Sequence, residues 1–377
     1  MLKHRLDEID ILRGLTFLAI VMQHTLASYI YGPDLTYGPA VVSAFLLIAV
    51  RYAVPMFIFI TGVVLFYNHG EAEFNYWIFL DKRFAQIFVP YFVWTVIYYF
   101  WSGGGQPISG LGTIIGDIGK LTLNGAACYH LWFMVAIFQF YLLFPFFRWF
   151  ILKYQDHPVP TLTLGLIAYI ILMWAYTYQV PVLGENTQSP LLQTILAYRD
   201  RIFISWFFYF LLGGYVGLYA EKLGSILKHL QKTNIIIYLL TFAITLHQVI
   251  RTGHLDPSGN YVMNYQFTLP LTPMMVVFLT SSLLTILYLS QTLFIKYKTT
   301  RKVLQFYGRY SFGCYFVHAL VLYYINALVK THLYSLGTIS QLTIAFLACA
   351  IISLAFCFLV DKLRLPLGNL LLGKISS

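Results

Sequence analysis

The chain has 377 residues, 59% of them hydrophobic and only 10% charged, whereas an ordinary soluble domain carries about a quarter charged residues. A soluble globular fold is excluded, because it would have nowhere to bury so much apolar surface. The net charge of +10 does not point to nucleic acid, since the basic residues cluster at the ends of apolar segments instead of forming a soluble stripe.

Apolar segments of about 20 residues recur along the whole length, each long enough to cross a hydrocarbon core of about 30 Å as a helix. A bilayer offers the backbone no water partners, so helices are the expected element throughout. Spans are expected at approximately 11–30, 40–67, 84–102, 130–151, 160–179, 202–220, 234–250, 269–294, 310–329 and 339–360. Turn and charge signals separate them: GPD near 32, NHGEAEFNY near 68, SGGGQPISG near 102, DHPVP near 156 and DPSGN near 256. The expected architecture is an all-α, polytopic transmembrane helix bundle of about ten spans, one membrane domain over residues 1–377. MLKHRLDEIDILRG has no small-residue cleavage site, so the first apolar segment reads as a retained helix. The positive-inside rule places both termini in the cytoplasm. The inner side then collects Lys3, Arg5, Arg13, Lys82, Arg83, Arg148, Arg309 and Lys374 among others, and the outer side holds Lys120, Arg199, Arg201, Arg251 and Lys330. Cys128, Cys314, Cys349 and Cys357 are widely spaced and show no metal or disulfide framework.

In the first span, ILRGLTFLAIVMQHTLASY, Arg13 and His24 are eleven positions apart, which returns a helix to within about 20° of one face, some 16 Å further along. Arg13 reads either as a snorkelling anchor or as part of an interior. His24 lies deeper, where an ionisable group faces a cavity more often than it packs as a plain core residue. Arg51 lies within the second span without an Asp or Glu in any span to neutralise it, and Pro55, four residues later, frees the Arg51 carbonyl and permits a bend. Lys82 and Arg83 open the third span, where basic residues oppose the helix dipole. Topology and the phosphates of a nucleotide-containing donor both account for them. His130 and Trp132 begin the fourth span, at an interface where Trp is ordinary. In the ninth, Ser311, Tyr315 and His318 follow at spacings of four and three, on one helix face.

Taken together and in order, these segments resemble acyltransferase family 3, the bacterial membrane acyltransferases that decorate surface polysaccharides. The resemblance rests on R-x10-H (Arg13 to His24), R-x-x-V-P-x-F…G (Arg51 to Gly62), a basic-to-I-x-x-P-Y stretch (Arg83 to Tyr91), H-L-W-F (His130 to Phe133) and S-F-G-x-Y-x-x-H (Ser311 to His318). FLLGGYVG around Gly213 and Gly214 is similar to the family's sixth-helix pattern, and the chain looks closest to stand-alone members of the intercellular-adhesin type. One departure stands at Gln86, where many members have an arginine.

The resemblance implies transfer of an acyl group, acetyl first and succinyl as the alternative, from cytosolic acyl-CoA to a hydroxyl of an extracytoplasmic polysaccharide, in the plasma membrane. Such a reaction needs a base and a positive group for the oxyanion. His24 is the candidate base. Arg51, Tyr315 or Ser311 are candidates for the oxyanion contact, with His318 a second acid/base group or a packing residue and Arg13 at the inner end. The donor-binding set is Lys82, Arg83, Arg309, His130 and Trp132. Beyond acyl-CoA, the glycan acceptor and the bilayer, polysaccharide synthase subunits are conceivable partners; nucleic acid and metal are not expected. A transporter or flippase of a glycan or lipid-linked intermediate is the rival reading, because intramembrane His and Arg also line transport pathways.

Overall fold

The computed structural model describes residues 7–32, 35–70, 73–104, 110–364 and 368–373; Lys3, Arg5 and Lys374 and parts of the turns near 32, 68 and 102 lie outside the described residues. The protein is 81% helical. The first half contains α1 (Asp7–Ala27), α2 (Tyr37–Val50), α3 (Ala53–His69), α4 (Tyr76–Arg83), α5 (Val89–Trp101), α6 (Leu111–Asn124), α7 (Trp132–Leu142), α8 (Phe144–Lys153) and α9 (Pro158–Tyr178). The second half contains α10 (Val180–Asn186), α11 (Pro190–Ala197), α12 (Phe207–Leu218), α13 (Leu223–Ile250), α14 (Pro273–Leu289), α15 (Lys298–His332), α16 (Thr338–Lys362) and α17 (Gly368–Leu372). The strands found are β1 (His254–Leu255) and β2 (Tyr261–Val262), an antiparallel pair in the loop after α13.

Several hydroxyl groups inside these apolar helices are satisfied by the preceding turn: Thr16 donates to the Leu12 carbonyl at 2.6 Å and Thr25 to the Val21 carbonyl at 2.8 Å. α2 and α3 form one apolar stretch, interrupted at Arg51 and Tyr52 where the Pro55 ring denies the Arg51 carbonyl its helical partner. Between α4 and α5 the residues Phe84–Phe88 form a π-helical turn ahead of Pro90, a common device for re-aiming side chains at a functional wall. α7 and α8 meet at 56°, with Pro145 in the first turn of α8 as the cause.

Among the described residues, eight helical segments are long and apolar enough to cross a membrane, and the bent α7–α8 pair would make a ninth. α12, expected to span within 202–220, is a helix of 12 residues, rising only about 18 Å. The residues before it instead form two 3₁₀ turns, the charged Arg199–Arg201 and Phe203–Ser205. The Gln139 side chain brackets those turns, donating to the Arg201 carbonyl at 2.7 Å and accepting from the Phe203 amide at 3.1 Å. α1 and α15 run parallel: Gly14 meets Gly308, the His24 ring meets His318, and Ser28 meets Asn326. An odd number of crossings must therefore separate them. Five of the long apolar helices lie in between, an odd number that agrees with the parallel pair.

Glycines set the closest helix contacts. A Cβ on Gly213 would stand 2.1 Å from the Phe59 carbonyl oxygen and one on Gly217 2.3 Å from that of Val63, which seats α12 against α3. In the α1–α15 pair, a Cβ on Gly14 would lie 2.1 Å from the Leu304 carbonyl oxygen and one on Gly308 2.0 Å from that of Asp10. Backbones that approach this closely gain dispersion contacts that lipid would otherwise supply.

Candidate active site

One face of α1 carries Arg13, Phe17 and His24, with Ser28 just past its end, and α15 lies along it with Ser311, Tyr315, His318 and Asn326. At the Arg13 end a cavity of about 340 Å³ opens between α1, α3, the π-helical turn, α7 and α15. Arg13, Arg83 and Arg309 line it together with Gln86, Ser311 and Tyr315, over a floor of Phe57, Phe133 and Tyr141. Arg83 donates to the Gln86 side-chain oxygen at 3.3 Å and packs its guanidinium 5.3 Å from the Phe79 ring centre and 5.6 Å from that of Tyr141. Arg13 pairs with the buried Asp10 at 3.5 Å. Leu372 and Gly373 complete the wall, held in place by the Trp94 indole, which donates to the Leu371 carbonyl at 3.1 Å.

Tyr315 stands at the inner end of this cavity. Its hydroxyl donates to the His130 carbonyl, and its ring lies 5.1 Å from the His130 ring and 5.9 Å from that of His318. Beyond it is a cluster of three imidazoles. His318 is 4.8 Å from His130 and 5.4 Å from His24, the latter pair stacked with 28° between planes. The Tyr129 ring also packs on His24, 4.6 Å away and tilted by 55°. The Nδ1 of His318 sits 2.6 Å from the Tyr315 carbonyl oxygen. A carbonyl only accepts, so Nδ1 carries the proton and Nε2 of the neutral ring is a free lone pair. That Nε2 and both ring nitrogens of His130 are buried without partners. Among the described residues, no group of His, Cys, Asp or Glu is arranged to hold a metal ion.

Arg51 lies within electrostatic range of His24, and its guanidinium donates to the Thr268 hydroxyl at 2.8 and 3.2 Å. A neutral hydroxyl leaves its full positive charge available to the space beside His24.

The residues singled out in the sequence thus separate into two groups. Arg13, Arg83, Arg309, Ser311 and Tyr315 share the cavity, and His24, His318 and Arg51 gather past Tyr315. Ser311 turns its hydroxyl back onto the Gly308 carbonyl at 2.9 Å. Lys82 is exposed outside the cavity lining, Trp132 stacks on Trp206 at 5.8 Å, and His130 belongs to the imidazole cluster instead of the arginine-lined end. Sequence reasoning missed Tyr129, whose only signal was its place directly before His130, and Asn326, which continues the four-residue spacing of the α15 face.

The arrangement offers cations at one end of a cavity and imidazoles beyond its other end, with a phenol between them. The family model for the acyltransferase domain of acyltransferase family 3 matches residues 6–361. A Bacillus subtilis (strain 168) protein named "Putative membrane-bound acyltransferase YfiQ" is 22% identical over 375 residues, which covers 98% of this chain and 95% of that protein. No solved structure matches the chain. The ordered motifs, the all-helical bundle with its apolar spans and a family match over nearly the whole length agree: the chain belongs to acyltransferase family 3, and it is an integral membrane acyltransferase.

Proposed function

We propose that this acyltransferase moves an acetyl group from cytosolic acetyl-CoA to a hydroxyl of an extracytoplasmic polysaccharide, in the plasma membrane. The single observation that carries the reading is the cavity whose mouth holds Arg13, Arg83 and Arg309 and whose inner end, Tyr315, adjoins the imidazole cluster. The phosphates of CoA suit the three guanidiniums, which bind such groups through paired N–H donors. The pantetheine arm lies along the aromatic floor, and the thioester passes Tyr315 to reach His24.

His24 removes the proton from the acceptor hydroxyl while that oxygen attacks the thioester carbonyl. Arg51 faces the negative oxygen of the tetrahedral intermediate. As the intermediate collapses, the carbon–sulfur bond breaks and the His24 imidazolium returns its proton to the leaving thiolate. His318, with its tautomer set by the Tyr315 carbonyl, and Tyr129 both pack against the His24 ring and hold it in place.

The test uses purified protein in detergent or nanodiscs with acetyl-CoA, in the presence and absence of surface polysaccharide that has been de-esterified by mild base. Acceptor-dependent release of free CoA thiol is expected. A protein that binds acetyl-CoA and never releases CoA with any surface glycan of its host would refute the reading.

A further inference from the structure

The end of the α1–α15 pair beyond His24 is polar in a way the donor cavity does not require. Ser28 follows His24 by one turn, about 6 Å along the axis, and donates to the His24 carbonyl at 3.3 Å. Its hydroxyl accepts from the Asn326 side-chain amide at 3.0 Å, and its carbonyl accepts from the Lys330 ammonium at 3.1 Å. The same ammonium lies 5.2 Å over the ring of Tyr29. The side-chain oxygen of Asn326 is buried without a partner, and so is the hydroxyl of Tyr29, a residue only 4% exposed. Buried polar atoms are almost always paired, so two orphans in one small cluster point to a ligand that pairs them. Tyr129, 54% exposed and packed on His24, leaves this end of the imidazole cluster open to the surroundings.

We infer that Ser28, Tyr29, Asn326 and Lys330 form a binding site for the acceptor, a hydroxyl-rich saccharide segment without cationic groups. The inference rests on the acyl-transfer reading above. Neighbouring hydroxyls of a sugar ring both donate and accept: one donates to the Asn326 oxygen, another pairs with the Tyr29 hydroxyl, and a ring or hydroxyl oxygen accepts from Lys330. The ammonium excludes an unsubstituted amino sugar by charge. A hydroxyl held here reaches His24 from the side opposite the arginine-lined cavity, so the two substrates enter from different ends and meet at one base.

The experiment measures CoA release as a function of acceptor concentration, with base-deacylated polysaccharide from a strain lacking this gene as the acceptor, alongside direct binding of acetyl-CoA. Three variants are compared with wild type: Asn326→Leu, Lys330→Gln and Tyr29→Phe, the last removing one oxygen atom and little packing. Each is expected to raise the KM for acceptor about fivefold to tenfold, the loss of one hydrogen bond, with the Kd for acetyl-CoA unchanged. An acceptor KM equal to wild type in all three variants of an active enzyme would overturn the site and leave the acyl-transfer reading standing. Weakened acetyl-CoA binding with an unchanged acceptor KM would overturn it as well, by assigning the cluster to the donor. Wild-type protein that releases no CoA would instead remove the reading beneath the site.

Discussion

Replacing Gly308 with alanine tests whether the glycine contact between α1 and α15 sets the spacing of the proposed catalytic groups. The new Cβ would stand 2.0 Å from the Asp10 carbonyl oxygen, against 3.4 Å for ordinary contact, so the helices must separate by about 1.4 Å at that point. Neither partner atom is the end of a flexible side chain, and the strain has no local outlet. Seven and ten residues further along α15 are Tyr315 and His318, and His24 is on the helix pushed away. A misplacement of about 1 Å at reacting groups can cost about 10²-fold in rate. Overpacking of this kind also costs about 1–3 kcal/mol of stability, which lowers the yield of folded protein but does not change the turnover of what folds. The assay is therefore CoA release per mole of monodisperse protein. Gly308→Ala is expected to fall about a hundredfold, and Gly119→Ala, whose Cβ would meet nothing within 4 Å, to match wild type. Full turnover in Gly308→Ala would show that the α1–α15 contact is not what aligns His24 with His318.

His24→Gln keeps hydrogen bonding without useful basicity, so it is expected to lose about 10²–10⁴-fold in rate at matched membrane expression; near wild-type ester content on the surface glycan would move the base to His318. Arg83→Gln and Arg309→Gln are expected to weaken acetyl-CoA binding, with the difference from wild type shrinking as salt rises and screening takes over; titration by calorimetry at low and high ionic strength decides this, and affinities indifferent to both charge and salt would place the phosphates elsewhere. A topology reporter fused after Ser377 is expected to be active only in the cytoplasm, the outcome that an even number of crossings with the basic residues on the inner side requires; activity only outside the cell would overturn that arrangement.

Much of the fold was legible because apolar length is a strong signal at membrane depth. α1, α9, α14 and α16 fall close to their expected places. The helical period also put Arg13 and His24 on one face, the face that meets α15. What the period could not show is that Tyr315, from the ninth expected span, stands between them and divides the line into an arginine-lined cavity and an imidazole cluster. Such a division depends on contacts across some 300 residues of chain. His130 illustrates the same limit: its neighbours in sequence suggested an interfacial role, and only the packing of α15 against the segment before α7 brings it within 4.8 Å of His318. α12 misled for a different reason. Hydropathy counts apolar residues, and Ile202, Phe203, Ile204 and Trp206 are apolar yet turn around a 3₁₀ segment, with Gln139 and Arg199 supplying partners for Phe203 and Ser205. A helix buried against α3 by Gly213 and Gly217 does not need the length that lipid contact demands.

The cavity wall joins Arg13 to Leu372 and Gly373, residues about 360 positions apart. At a synthesis rate of about 5–20 residues per second, the second wall emerges some 20–70 s after the first. Until then α1 waits in the bilayer with its arginine, and then its histidine, facing a partner helix that does not yet exist. The arginine-lined cavity therefore closes only after residue 373 has emerged, and a shorter nascent chain lacks its second wall.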